Sequence, residues 1–301
     1  MDTQTLKYIG KDLYKTHILK EWKRYIVFMT RCHLHKGQIN DLLDFLKATP
    51  QRQAMLEHTT SFVEQTTRAF FYKDSTWDER IAIVKNHIEY MENIFDDEAI
   101  AKLYVNGERI RLWEDVYEEQ PVVMELWFHG GQRKEGCLSL VLSLGADELY
   151  QIMFWLAPSP EDNELSLWIG ALQGTPNGSE IIKGLTKAFF GYRTKNLIFY
   201  GIRNVAAGLG CKHLYAVSNA GYYAMNHVRR DRKLKTSLDD FWQECEGQVC
   251  KDQRFFEMPI EEYRKSMEEL KPSKRAQHRR RFAKMDEITE SVTEVLNNYK
   301  K

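Results

Sequence analysis

The sequence predicts an α+β fold in which a helical N-terminal region leads into a mixed, mostly antiparallel sheet with helices. Three observations carry this. Over the first hundred residues, apolar side chains recur at helical spacing with lysines between them. Near Ala101 the pattern changes to short runs rich in β-branched and aromatic residues, bounded by Gly, Pro, Asn and Asp. After Gly178 helical spacing returns, interrupted by one more short apolar run. These changes divide the chain into a helical region (1–100), a sheet-and-helix domain (101–258) and a charged helical C-terminal tail (259–301).

The elements follow in order. Leu6, Ile9, Leu13, Tyr14, His17 and Ile18 lie at helix spacing. "NDLLDFLKATP" offers Asn40 or Asp41 as an N-cap and Pro50 as a stop. "DSTWDERIAIVKNHIEYMENIF" is the clearest helix. Thr76 and Glu79 have capping-box spacing, and Ile81, Val84, His87, Ile88 and Met91 form its apolar stripe. "AKLYVNGERIRLWED" carries a hairpin signal at Asn106-Gly107. "VVMELWFHG", "GCLSLVLSLG", "LYQIMFWLAP" and "ELSLWIGALQG" then read as consecutive antiparallel strands. Helices are expected from Glu180 to about Phe190 and over "KNLIFYGIRNVAAGLG", which Gly208 or Gly210 can end. "KHLYAVSN" is a buried strand, and "AGYYAMNHVRR" starts another helix.

Composition bounds the function. Hydrophobic residues make up 43% of 301, enough for a packed core. Lys plus Arg and Asp plus Glu number 43 each, which argues against electrostatic capture by nucleic acid. The five cysteines, Cys32, Cys137, Cys211, Cys245 and Cys250, form no CxxC pair, so neither a structural metal nor a disulfide framework is expected. Lys7, Lys11, Lys15, Lys20, Lys23 and Arg24 interrupt every early apolar run, so no signal peptide is expected. No run reaches the roughly 18–20 apolar residues of a membrane span. A cytoplasmic protein that can sit peripherally at the inner membrane is the expectation.

"ELWFHGGQRKEGCLSLVL", "LWIGALQG", "FGYRTKNLIFYGIRNVAAGLGCKHLYAVSN", "SLDDFWQECEG", "FFEMPI" and "PSKRAQHRRR" occur in this order. Together they resemble the VirK/YbjX family of Gram-negative bacteria, and the N-terminal "WDERIAIVKNHIEYM" also fits. The resemblance implies a virulence-associated role at the envelope: placement of virulence proteins and resistance to antimicrobial peptides. It brings no agreed reaction. A second resemblance bears on mechanism. "NLIFYGIRNVAAGLGCKHLYAVSNAGYYAMNH" is similar to the later half of a GNAT-type acyltransferase fold, with a strand, a pyrophosphate loop, a helix, a strand and a helix. That resemblance implies a coenzyme A thioester as donor, with Leu165–Leu172 and His213–Val217 as the two strands. The usual loop reads Gln/Arg-x-x-Gly-x-Gly/Ala; here it is Gln173-Gly174-Thr175-Pro176-Asn177-Gly178, with different spacing. An extra helix separates it from the long helix.

The candidate residues carry two readings each. Gln173, Gly174 and Gly178 could cradle a phosphate or simply turn the chain, and Pro176 removes one N–H donor. Arg193 and Lys195 precede a helix N-terminus and could hold an anion; otherwise Thr194 caps a solvated loop. Asn219, Tyr222 and Tyr223 follow a buried strand, where polar groups often face a cleft; they could orient or protonate a leaving thiol, or be a helix cap and core. Cys32, His33 and His35 lack a carboxylate partner for a metal, and His129 beside Gly130-Gly131 could be a base or a turn residue. Lys274, Arg275, Arg279, Arg280, Arg281 and Lys284 could meet anionic lipid, lipid A phosphates or, against the balanced total charge, nucleic acid; otherwise they pair with the acidic "EEYRKSMEEL". The leading expectation is acyl transfer in the service of the envelope. The alternative is a non-enzymatic adaptor for a membrane surface or an envelope client protein, using these residues and the basic amphipathic stretch Leu6–Phe28.

Overall fold

A computed structural model of the chain describes residues 2–128, 133–175, 179–226 and 237–301. The N-terminal region is helical, as its periodicity demands: α1 (Thr3–Leu13), α2 (Leu19–Leu34), α3 (Lys36–Lys47), α4 (Pro50–His58), α5 (Ser61–Thr67), α6 (Trp77–Ile94) and α7 (Asp97–Tyr104). The Thr76–Glu79 capping box forms in full at the start of α6. Each partner satisfies one backbone N–H that the helix leaves open. The apolar stripe of α6 is buried, His87 included. Its Nδ1 accepts the Leu156 N–H at 3.1 Å and its Nε2 lies 2.7 Å from the Tyr104 hydroxyl. Burial holds this imidazole neutral, at about 3.

Three local expectations are corrected. The first helix stops at Leu13 and α2 begins at Leu19, so Tyr14 to Ile18 are not one continuous helix with Leu6. Asn40 and Asp41 lie inside α3, which starts at Lys36. Pro50 stands just past the end of α3, where a stop was expected, and it also opens α4 behind the Thr49 cap, because its missing N–H costs nothing at the first helical position. The Asn106-Gly107 pair makes no hairpin. The buried face of Ile100, Leu103 and Tyr104 keeps "AKLY" in α7, and Gly107 takes a φ of +67° just beyond the helix end. The true hairpin between β1 (Arg109–Tyr117) and β2 (Gln120–Trp127) turns at Glu118 and Glu119, with φ of +47° and +64°. Two left-handed residues match the twist of the strands, but glutamates carry no turn signal.

The strands after β2 are β3 (Leu138–Leu144), β4 (Asp147–Pro158), β5 (Leu165–Gly174), β6 (His213–Val217), β7 (Gln248–Val249) and β8 (Phe255–Met258). They form one eight-stranded sheet in the order β1-β2-β3-β4-β5-β6-β8-β7. All neighbouring pairs are antiparallel except β5 and β6. The fold is therefore α+β, as the strand-like runs predict. Helices α8 (Ser179–Ala188) and α9 (Thr194–Gly208) connect β5 to β6, and α10 (Leu238–Glu244) precedes β7. Thr194 does not cap α9: it is its first residue, fully buried, behind Arg193. After β6 a short 3₁₀ turn, Tyr223–Asn226, replaces the expected helix; the rest of that expected helix, 227–230, lies outside the described residues.

The sheet is covered on both faces. On one, Gly201 of α9 approaches the Met124 and Leu140 side chains so closely that a Cβ there would meet Met124 at 2.6 Å. The last helix, α11 (Pro272–Asn298), lies on the same face: Trp113 Nε1, opposite Met124 in the β1–β2 register, donates to Glu287. The other face carries Trp155, Trp168 and Tyr215, which sit side by side across β4, β5 and β6, and α6 lies over it. Buried side chains from Leu6 to Leu296 form one continuous cluster.

Candidate functional site

The chain crosses β4 and β5 just before β3, and two glycines permit it. A Cβ on Gly136 would lie 2.5 Å from the Phe154 backbone nitrogen, and one on Gly170 would lie 1.8 Å from the Glu135 carbonyl oxygen. Gly170 is also where the β4–β5 register shifts, between the pairs Met153–Ala171 and Phe154–Ile169. A residue without a Cβ is required for so close an approach. The crossing delivers Glu135 into the protein, 3% exposed.

Glu135 meets two residues singled out in the sequence. Tyr222 donates its hydroxyl to Oε1 at 2.6 Å, and Gln173 Nε2 donates to Oε2 at 2.6 Å. Burial pushes the Glu135 carboxyl up to about 7; the Tyr222 hydrogen bond and the nearby Lys134 charge pull the other way and do not win. Burial and the adjacent carboxylate also push the Tyr222 phenol well above its ordinary value. A carboxyl that titrates near neutrality can take and return protons at physiological pH.

The cluster stands at an opening in the sheet. β5 pairs with β6 only from Ser166 to Ile169, opposite His213 to Ala216. Beyond that, β5 continues to Gly174 while the chain after Val217 turns away. The Gly221 carbonyl accepts the Lys73 N–H at 2.7 Å, and Tyr222 forms an isolated bridge with Tyr72. Glu135 thus links the free end of β5 to the loop after β6. Where β4 begins and β5 ends lies a cavity of 610 Å³, lined by residues 146–151, Gln173–Thr175 and Ile181. Gln151 is one of the lining residues, and its Nε2 is buried without a hydrogen-bond partner among the described residues.

The remaining sequence candidates separate. Asn219 caps a helix: its Oδ1 accepts the Leu238 N–H at 2.8 Å at the start of α10, and its Nδ2 donates to Ser237 at 3.0 Å. Tyr223 is core, edge-on to Phe70. Arg193 is turned to α10, paired with Glu244, and also donates to Asn196. Lys195 Nζ sits 3.9 Å above the Phe241 ring. Gly174 stacks under Tyr150 beside the cavity, whereas Gly178 and His129 lie outside the described residues. Cys32 is buried in α2 and His35 stacks on Trp77. Among the described residues no group of three or more His, Cys, Asp or Glu could hold a metal. In α11, Lys284 pairs with Asp115 and Glu287, Arg281 donates to the Phe190 carbonyl, and Arg275 to that of Leu270. Glu135 was not foreseen. Its partners are 38 and 87 residues away, and only the crossing at Gly136 and Gly170 unites them.

Fold and site together define an α+β protein with a buried carboxyl at the mouth of the parallel β5–β6 pair. Residues 17–294 match the family described as "Protein of unknown function (DUF535)", and the chain belongs to it. This bears out the resemblance to the VirK/YbjX family. The chain is 22% identical over 269 residues to an uncharacterized protein of Haemophilus influenzae, covering 87% of each chain. It is 31% identical over 129 residues to the uncharacterized protein YbjX of Escherichia coli, covering 41% of this chain and 38% of that protein. No solved structure matches. No helix among the described residues is long and apolar enough to cross a membrane.

Proposed function

We propose that the protein is an acyltransferase that moves an acyl group from a thioester donor, coenzyme A or an acyl carrier, to an amine or hydroxyl, with Glu135 as base and Tyr222 as acid. The observation that carries this is the Glu135–Tyr222–Gln173 cluster at the opening between β5 and β6. The chain order supports it: β5, the loop that begins at Gln173, α8 and α9, β6, then α10. This is the order of strand, loop, helix, strand and helix that the GNAT-type resemblance implies.

The residues fit the thioester end of such a donor. The cavity beside Gln173 and Gly174 is of ligand size, and the unpartnered Gln151 amide offers a donor for a carbonyl oxygen. A role for Arg193 at the donor phosphates requires its release from Glu244.

The chemistry balances on the chain's own groups. The acceptor nitrogen attacks the thioester carbonyl carbon and gives up a proton to the Glu135 carboxylate. As the C–S bond breaks, Tyr222 protonates the leaving thiolate. Its phenolate recovers a proton from Glu135 along the hydrogen bond between them. The products are an amide and a free thiol. In a transfer assay, Glu135→Gln is expected to lower kcat by about 10²–10⁴-fold while leaving donor affinity within a few-fold. Unchanged kcat would remove Glu135 from the mechanism.

A second reading rests on α2. Leu19, Trp22 and Ile26 are exposed along one side of it, with Lys20, Lys23 and Arg24 between them. This combination suits an anionic membrane surface and would place the protein at the inner face of the envelope, in line with the virulence role. Trp22→Glu is expected to reduce co-sedimentation with anionic vesicles; equal sedimentation would count against it.

A further inference from the structure

A second cavity, of 770 Å³, lies between α6 and the sheet. Its floor follows directly from strand register. Trp155, Trp168 and Tyr215 are directly paired across β4, β5 and β6, so their side chains share one face. The Trp155 and Trp168 rings lie parallel within 9° at 6.1 Å, and Tyr215 is 4.2 Å from Trp168. Tyr72 and Phe255 complete the aromatic wall.

The wall already holds one cation. The Arg254 guanidinium lies 4.8 Å from the Tyr72 centroid and 5.8 Å from that of Phe255. Ring faces are negative and attract cations. Arg254 is itself balanced by Asp252, which accepts from its Nε and Nη2 at 3.0 and 2.7 Å. The other charged groups lining the cavity are Glu79, Glu161 and Lys251, so carboxylates outnumber cations three to two. Glu79 is committed to the α6 cap. Glu161 is exposed at the rim, and its carboxylate makes no hydrogen bond or ion pair among the described residues. The Asn86 side-chain amide, also in the lining, makes none among them either.

We infer that this cleft binds an organic cation with a flat apolar body, its rings packing against the aromatic wall and the ammonium meeting Glu161. A cation is favoured over an anion by the carboxylate excess of the lining. The inner end of the cleft abuts the crossing that carries Glu135, because Gly170 lies between the Trp155 ring and the Glu135 carbonyl. Tyr72 of the wall is bridged to Tyr222. A ligand whose ammonium meets Glu161 points its other end toward Glu135, so a hydroxyl or second amine at that inner end is placed to be the acceptor. That role rests on the acyl-transfer reading; the binding does not.

The test uses the full chain and two probes of one shape, tryptamine and indole-3-propionate, followed by tryptophan fluorescence or calorimetry. Saturable binding of tryptamine is expected, at least tenfold tighter than that of the propionate, and weakened at least fivefold by Glu161→Gln. Trp168→Leu should abolish it. If that variant fails to fold, the exposed Glu161→Gln still decides. No saturable binding of tryptamine at millimolar concentration, or equal binding of the propionate, overturns the assignment. If tryptamine binds but no acyl thioester is turned over, the cleft assignment holds and the acceptor role falls. If thioester is turned over and tryptamine does not bind, the cleft assignment alone falls.

Discussion

Replacing Glu135 by glutamine should change how stability depends on pH. The carboxyl ordinarily titrates at 4.5 and is raised to about 7 in the fold, chiefly by burial. The folded state therefore binds this proton more tightly than the unfolded chain. The stability it contributes is fully present below 4.5 and is lost as pH rises through 7. At about 1.4 kcal/mol per pH unit, the whole effect is about 3 kcal/mol, most of which falls between pH 5 and 8. Glu135→Gln keeps the shape and removes the proton. It also disturbs one of the hydrogen bonds to Tyr222 or Gln173, costing about 1 kcal/mol at every pH. The assay is guanidinium unfolding of both proteins at several pH values. Their difference cancels His213, His87 and every other shared group. Stability of the variant relative to wild type should rise by about 2–3 kcal/mol from pH 5 to 8. A difference that stays flat would show that Glu135 titrates as an ordinary carboxyl, and the argument from its burial would be wrong.

Other perturbations follow from the same geometry. Gly170→Ala drives a methyl into the Glu135 carbonyl and should cost about 3 kcal/mol; a thermal melt within a degree of wild type would contradict the crossing. Thr76→Ala removes the capping box of α6 and should cost about 1 kcal/mol, read from the denaturation midpoint. His213 lies between Glu257 and Asp162, each 2.9 Å away, and these partners raise its pKa. Its contribution to stability is present below 6.5 and lost as pH rises through the raised value. By NMR, Glu257→Gln should bring the His213 midpoint down; an unmoved midpoint would deny the pairing.

Much of the fold was legible because it is written locally. Alternating and fully apolar runs gave β2 to β5, and the limits His213–Val217 of β6 agree with the reading of "KHLYAVSN". The Thr76–Glu79 spacing announced its cap. Failures came where context overrode a local signal. Asn106-Gly107 has the composition of a hairpin, yet the buried face of α7 claims the residues before it. The real turn at Glu118-Glu119 uses left-handed backbone without glycine. For the site, Gln173 and Tyr222 were visible as polar groups at strand ends. Glu135 was not, because nothing in "QRKEGC" shows that Gly136 and Gly170 bring it against β5. The aromatic cleft was hidden for a related reason: Trp155, Trp168 and Tyr215 become neighbours only through strand register.

The central claim is that a thioester donor binds where β5 leaves β6. Calorimetric titration with acetyl-CoA and longer acyl-CoAs, for wild type and for Gln151→Ala and Arg193→Ala, tests it most directly. The account predicts saturable binding that Gln151→Ala weakens at least tenfold, and it predicts a smaller loss for Arg193→Ala because that side chain is paired with Glu244. Absence of binding to every acyl-CoA and to an acyl carrier protein would contradict it.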